Sequence, residues 1–100
     1  MRRGEIWRYR PVLERPGQAV LRLIVSADFV NDGDGVTVLG VHLVERDPQS
    51  LLAPRIGTHG FANVMTIEPV LRRRLDTRIA RVSAEEMEQV SSALRAAQDL

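Results

Sequence analysis

Two histidines and fourteen arginines are the side chains of this 100-residue chain best suited to chemistry. Histidine moves protons near neutrality, its unperturbed pKa being about 6.5. Arginine keeps its charge and offers a planar fork that fits phosphate. No cysteine is present, so thiol chemistry, disulfides and zinc–thiolate sites are absent. His42 and His59 have no carboxylate cluster near them in sequence, so no metal or other cofactor is expected. What remains is proton transfer beside fixed positive charge. Every basic residue is arginine and none is lysine, a usage that GC-rich codons also produce, so position must separate chemistry from composition.

Position separates them in part. Net charge is only +1, but residues 70–82 carry Arg72, Arg73, Arg74, Arg78 and Arg81 against Asp76 alone. The segment that follows carries Glu85, Glu86, Glu88 and Asp99 against Arg95. A basic ridge is therefore expected beside an acidic helix. The Arg72–Arg74 run reads as a track for a nucleic-acid backbone, a dock for an acidic partner or a solvated turn.

The elements that position these residues follow from hydrophobic periodicity. Residues 5–9 alternate and are aromatic, which predicts a first strand. Two prolines and a glycine make residues 11–18 a loop. Residues 19–26 have a period of two, with Leu21, Leu23 and Val25 on one face and Val20, Arg22 and Ile24 on the other. A turn at Asn31–Gly35 precedes a third strand over 36–44. Residues 46–54 read as loop, 57–60 as a turn, and 61–68 as a strand stopped by Pro69. Ser83 and Glu86 form a capping box, and Met87, Val90, Leu94 and Ala97 give the closing helix one apolar stripe. Strands followed by one helix predict a small, strongly bent antiparallel sheet in a single domain, residues 1–100. At this length the core is modest, which makes dimerisation plausible. Neither a signal peptide nor a membrane span is legible, so a cytoplasmic location is expected.

Three pieces, in order, carry a resemblance. Arg3-Gly4-Glu5-Ile6-Trp7 opens the first strand. Ile24-Val25-Ser26-Ala27-Asp28 follows the second, with Asn31 just beyond. Arg74-Leu75, then Ala80-Arg81-Val82-Ser83 and a Glu-Glu-Met helix start, end the chain. This pattern resembles the MazF/PemK toxins of bacterial toxin–antitoxin pairs. The resemblance implies a mainly β (α+β) fold, an SH3-like antiparallel β-barrel with a C-terminal α-helix, like MazF and CcdB. It implies a homodimer that cleaves single-stranded RNA without a metal and is silenced by a cognate antitoxin, with operator DNA bound through the antitoxin complex. It also implies departures. The family's Arg-Pro falls on Val20-Leu21, its hydroxyl residue on His42, its later Arg and Asp near Asn63 and Met65, and its acidic-glutamine pair on Met65-Thr66.

RNA cleavage of that type needs a base for the ribose 2′-hydroxyl, a cation on the phosphoryl oxygens and an acid for the leaving 5′ oxygen. Strand alternation puts Arg22 on the face of Val20, two residues deeper, and His42 stands in the hydroxyl slot, so Arg22 and His42 are the candidate catalytic pair. Alternatively, Arg22 pairs with Glu45 or Glu68 at a dimer seam, and His42 is a hydrogen-bonded core histidine. Arg15 and Gln18, in the first loop, with Arg46, Arg55 and His59, are candidate RNA-binding residues. Trp7 and Tyr9 could stack bases, although Trp7 reads better as core, and four aromatics do not make an extensive stacking surface. The rival function is a non-catalytic binding protein on the same scaffold, either a gyrase inhibitor or a detoxified homologue that keeps antitoxin and DNA binding.

Overall fold

The computed structural model describes residues 1–99. Alternation builds its sheet. β1 (Glu5–Tyr9), β2 (Leu21–Ile24), β3 (Thr37–Val44), β4 (Phe61–Leu71) and β5 (Leu75–Arg81) form one antiparallel sheet in the order β4-β3-β2-β1-β5. Leu23 and Val25 enter one buried cluster with Ile6, Val41, Leu43 and Val64, while Ile24 enters another with Val38, Val70 and Leu75. The two faces of the second strand thus split as its period of two requires. β2 is shorter than the expected 19–26, because the N–H groups of Val25 and Ser26 both turn to the Leu39 carbonyl, 2.9 and 3.4 Å away.

Chain connectivity bends the sheet. β4 and β5 are its two opposite edges, yet only the single 3-10 turn Arg72–Arg74 joins them. Across a flat sheet four strand spacings would separate them by about 19 Å, whereas the four steps from Leu71 to Leu75 reach at most about 14 Å. The sheet must therefore curl until its edges approach. The expected curvature and C-terminal helix are present, but the barrel is not closed, since β4 and β5 do not pair. The outer edge of β4 is occupied elsewhere: Ala62 and Val64 donate to the Pro54 and Leu52 carbonyls at 2.9 and 3.0 Å. Pro69 has no N–H to offer. It does not stop β4 as expected, because a proline is tolerated on an edge strand, and it pairs with Leu39.

Two short elements were not expected. A helical turn, α1 (Asp28–Asn31), precedes the Asn-Asp-Gly turn. Its Asn31 is buried, accepting from the Ser26 hydroxyl and donating to the Ser26 carbonyl at 2.9 Å. β5 runs through the middle of the predicted basic ridge. α2 (Ala84–Gln98) begins at the predicted Ser83/Glu86 capping box and buries Val90 and Ala93 against the first cluster, with Met87 and Leu94 at the margin. Ala97 is exposed, so the stripe runs through Ala93 instead. No helix among the described residues is long and apolar enough to cross a membrane.

Glu5, inside the opening motif, ties the scaffold together. Burial alone would push its carboxyl up. Hydrogen bonds from the Arg2 N–H (2.8 Å), Trp7 Nε1 (3.0 Å) and Arg78 Nη1 (3.2 Å), with the N-terminal charge, outweigh that and hold it below its ordinary 4.5.

Candidate active site

Arg22 and His42 are direct cross-strand partners in the β2–β3 ladder, so both side chains rise from the same face. A third residue joins them. Glu68 Oε1 lies 3.0 Å from His42 Nε2 and 3.6 Å from Arg22 Nε. Of Glu45 and Glu68, the alternatives for pairing with Arg22, Glu68 is the one the fold delivers.

A bulge delivers it. His42 pairs with Asn63 while Gly40 pairs with Glu68, so two steps along β3 are matched by five along β4. The extra residues leave the His42 N–H without a ladder carbonyl. The Thr66 hydroxyl takes that place, accepting from the His42 N–H at 2.8 Å and donating to the Asn63 carbonyl at 2.6 Å. Gly40 keeps the crossing tight: a Cβ there would stand 3.1 Å from Val70 Cγ2 and 3.6 Å from Arg22 Cβ.

The three side chains differ in access. Arg22 is 3% exposed, His42 28% and Glu68 45%. Arg22 Nη1 donates to the Ala19 and Leu21 carbonyls at 2.9 and 3.2 Å, and the Tyr9 ring covers the guanidinium, 4.4 Å from Cζ to the centroid. Burial draws the Arg22 pKa below its ordinary value, opposed by the nearby Glu68 and Tyr9. Its Nε is buried and without a hydrogen-bond partner, the Glu68 oxygen lying just beyond reach.

A groove of about 910 Å³, lined by none of these three side chains, opens between the first loop, the end of β3 and the 57–60 turn. Gln18, Arg46 and His59, three of the five candidate RNA-binding residues, line it. So does Ala19, whose carbonyl holds Arg22, which links the groove wall to the cluster. Gly60 shapes the far side at φ +108°, where a Cβ would meet the Val44 carbonyl oxygen at 2.4 Å. Arg15 does not line the groove, but its N–H donates to Oε1 of the lining Gln18 at 3.2 Å. Arg55 is not brought in: its Nε donates to the Gly57 carbonyl at 3.3 Å and its guanidinium lies over Phe61.

Within the Arg72–Arg74 run, Arg72 and Arg74 make structural contacts, while Arg73 is exposed. Arg72 donates to the carbonyls of Val30, Asn31 and Gly35 at 2.6, 2.7 and 2.6 Å, and Arg74 to that of Arg10 at 3.0 Å. Trp7 joins the second core cluster, as its sequence context indicated. Sequence reasoning offered Glu68 only as one of two acids that could pair with Arg22 at a dimer seam, and did not place it beside His42.

No protein-family model matches the chain, and no curated protein matches it. Solved structures do. An endoribonuclease bound to its cognate antitoxin, from a mycobacterial species, superposes with a TM-score of 0.85 at 23% identity, covering 100% of this chain and 96% of that one. Another mycobacterial endoribonuclease gives 0.81 at 21% identity, covering 100% and 92%. A MazE–MazF complex from Deinococcus radiodurans gives 0.82 at 12% identity, covering 100% and 96%. Over its whole length the chain has the fold of the MazF endoribonucleases.

Proposed function

We propose that this protein is the toxin of a bacterial toxin–antitoxin pair, an endoribonuclease that cuts single-stranded RNA without a metal. The observation that carries the reading is the convergence of Arg22, His42 and Glu68 on one face beside a groove lined by Gln18, Arg46 and His59. The fold supports it, being shared with structures named as endoribonucleases, one of them held by an antitoxin. In this reading the protein is a cytoplasmic homodimer, and a cognate antitoxin occupies the groove and recruits operator DNA.

The chemistry needs little beyond these residues. His42 takes the proton of the ribose 2′-hydroxyl, and the 2′ oxygen bonds to phosphorus. The bond from phosphorus to the 5′ oxygen breaks, and that oxygen takes a proton from water in the open groove. The products are a 2′,3′-cyclic phosphate and a 5′-hydroxyl. Arg46 and Arg15 bind flanking phosphates, and Arg22 supplies fixed positive charge.

One observation favours the rival reading, a binding protein that does not cut: the cation of the cluster is 3% exposed. The test is incubation of mixed RNA with the purified protein in EDTA, beside the His42→Ala variant. Cyclic-phosphate ends made by the parent and lost in the variant support the enzyme. Growth arrest on expression, with no RNA cut by the parent, overturns it in favour of the binding protein.

A further inference from the structure

Building on the ribonuclease reading, we infer that Glu68 is the positioning residue for His42, and that Arg22 acts through Glu68 and not on phosphate. At 3% exposed, Arg22 offers little approach to a phosphate oxygen, which must come within about 2.9 Å of its N–H groups, and only Nη2 is left for it. Tyr9 covers its face, Nη1 is spent on two backbone carbonyls, and Nε points at the Glu68 carboxylate.

The buried end of the cluster is thus the anchor and the exposed end the reactive one. Glu68 Oε1 accepts from His42 Nε2, which fixes the tautomer and leaves Nδ1 as the proton acceptor. When His42 takes a proton, the carboxylate stabilises the imidazolium. A base oriented by a third group is the general logic of activated proton transfer in enzymes. Arg22 Nε lies 3.6 Å from the same carboxylate oxygen on the buried side, so cation and carboxylate attract each other. Removing Glu68 would strand a buried cation, so the two residues form one unit. The titratable or charged groups that share this face of the sheet with His42 include Arg22 from β2, Glu68 from β4, Tyr9 and Glu5 from β1 and Arg78 from β5, the last two paired with each other at 3.2 Å.

The experiment compares parent, Glu68→Gln, Arg22→Met, Arg22→Lys and the Arg22→Met/Glu68→Gln double variant. RNA cleavage is followed across salt, and the His42 ring tautomer is read by 15N NMR. Glu68→Gln should lower kcat about tenfold or more with KM changed less than about twofold. Arg22→Met should show the same split, and the double variant should be no worse than the poorer single one. Arg22→Lys keeps the charge and should recover much of kcat, which separates the unit from a folding defect. The His42 ring 15N shifts should report the Nε2–H tautomer in the parent and a mixture of tautomers in Glu68→Gln.

A raised KM in Arg22→Met, with the salt slope reduced by about 0.7, would mark a direct phosphate contact and overturn the inference. So would His42 ring 15N shifts unmoved by Glu68→Gln. That readout needs no activity: a parent that cuts no RNA defeats the ribonuclease reading alone, while an unmoved tautomer defeats this one.

Discussion

Glu68 Oε1 lies 3.0 Å from His42 Nε2, although the backbone of Glu68 pairs with Gly40 and not with His42. The side chain reaches diagonally across the ladder, and the bulge in β4 sets the angle. The site therefore depends on a local break in regular pairing, held by the Thr66 hydroxyl between the His42 N–H and the Asn63 carbonyl.

Thr66→Val tests that dependence. Valine keeps the shape but leaves a donor and an acceptor without partners, at a cost of about 1–3 kcal/mol each where water cannot replace them. Urea unfolding should show a loss in that range. RNA cleavage per folded molecule should fall too, because the β4 register that aims Glu68 is no longer fixed. A stability loss with full cleavage would show that the bulge holds without Thr66.

Groove arginines should behave differently from the cluster. Arg46→Ala removes a charge from the groove wall and Arg15→Ala one from the loop whose Gln18 lines it, so each should raise KM and leave kcat nearly unchanged. For single-stranded RNA, every phosphate left without its arginine lowers the log–log salt slope by about 0.7. Arg55→Ala should do less, since that guanidinium is turned to Gly57 and Phe61. Filter binding of a short RNA at several salt concentrations reads all three.

Much of this arrangement was legible in the sequence. Alternation in residues 19–26 assigned Arg22 its face, and the capping box fixed the helix start. Two features were hidden for physical reasons. β5 was not predicted because it is an edge strand with only Leu75 buried, so its solvent-facing charges mask any period. Glu68 was not placed beside His42 because a bulge adds residues to one strand without a mark in composition. Pro69 misled in the same region: proline stops a central strand, and only the sheet order reveals that β4 is an edge.

Acid should weaken the fold through Glu5 and Asp28. Both carboxyls sit below their ordinary 4.5 and 3.8: Glu5 for the reasons given, Asp28 chiefly through hydrogen bonds from the Arg3 N–H and the Asn31 amide. A carboxyl with a depressed pKa in the folded state stabilises it above the unfolded pKa. That contribution fades as pH falls through the unfolded value and is gone below the folded one. Stability measured by thermal unfolding should therefore decline below about pH 4.5. Glu5→Gln should be less stable at neutral pH and flatter on the acid side. An unchanged acid limb in that variant would remove Glu5 from the account.

Arg72 offers the sharpest contrast between a basic run as ligand site and as structure. Its guanidinium caps the carbonyls of Val30, Asn31 and Gly35, and its own N–H donates to the Val36 carbonyl at 3.0 Å. The side chain therefore binds the end of α1 and the following turn to the end of β4. Hydrogen bonds from a charged donor are worth about 1.5–3 kcal/mol each, less when they share one side chain at a partly wet site. Arg72→Met should lose about 2–4 kcal/mol in urea unfolding, with faster amide exchange in residues 28–36. Arg72→Lys should recover less than half, because a single ammonium cannot span the three acceptors of a planar fork. Neither change should alter the salt dependence of RNA binding. A reduced slope in Arg72→Met, at unchanged stability, would return the 72–74 run to the nucleic-acid interface.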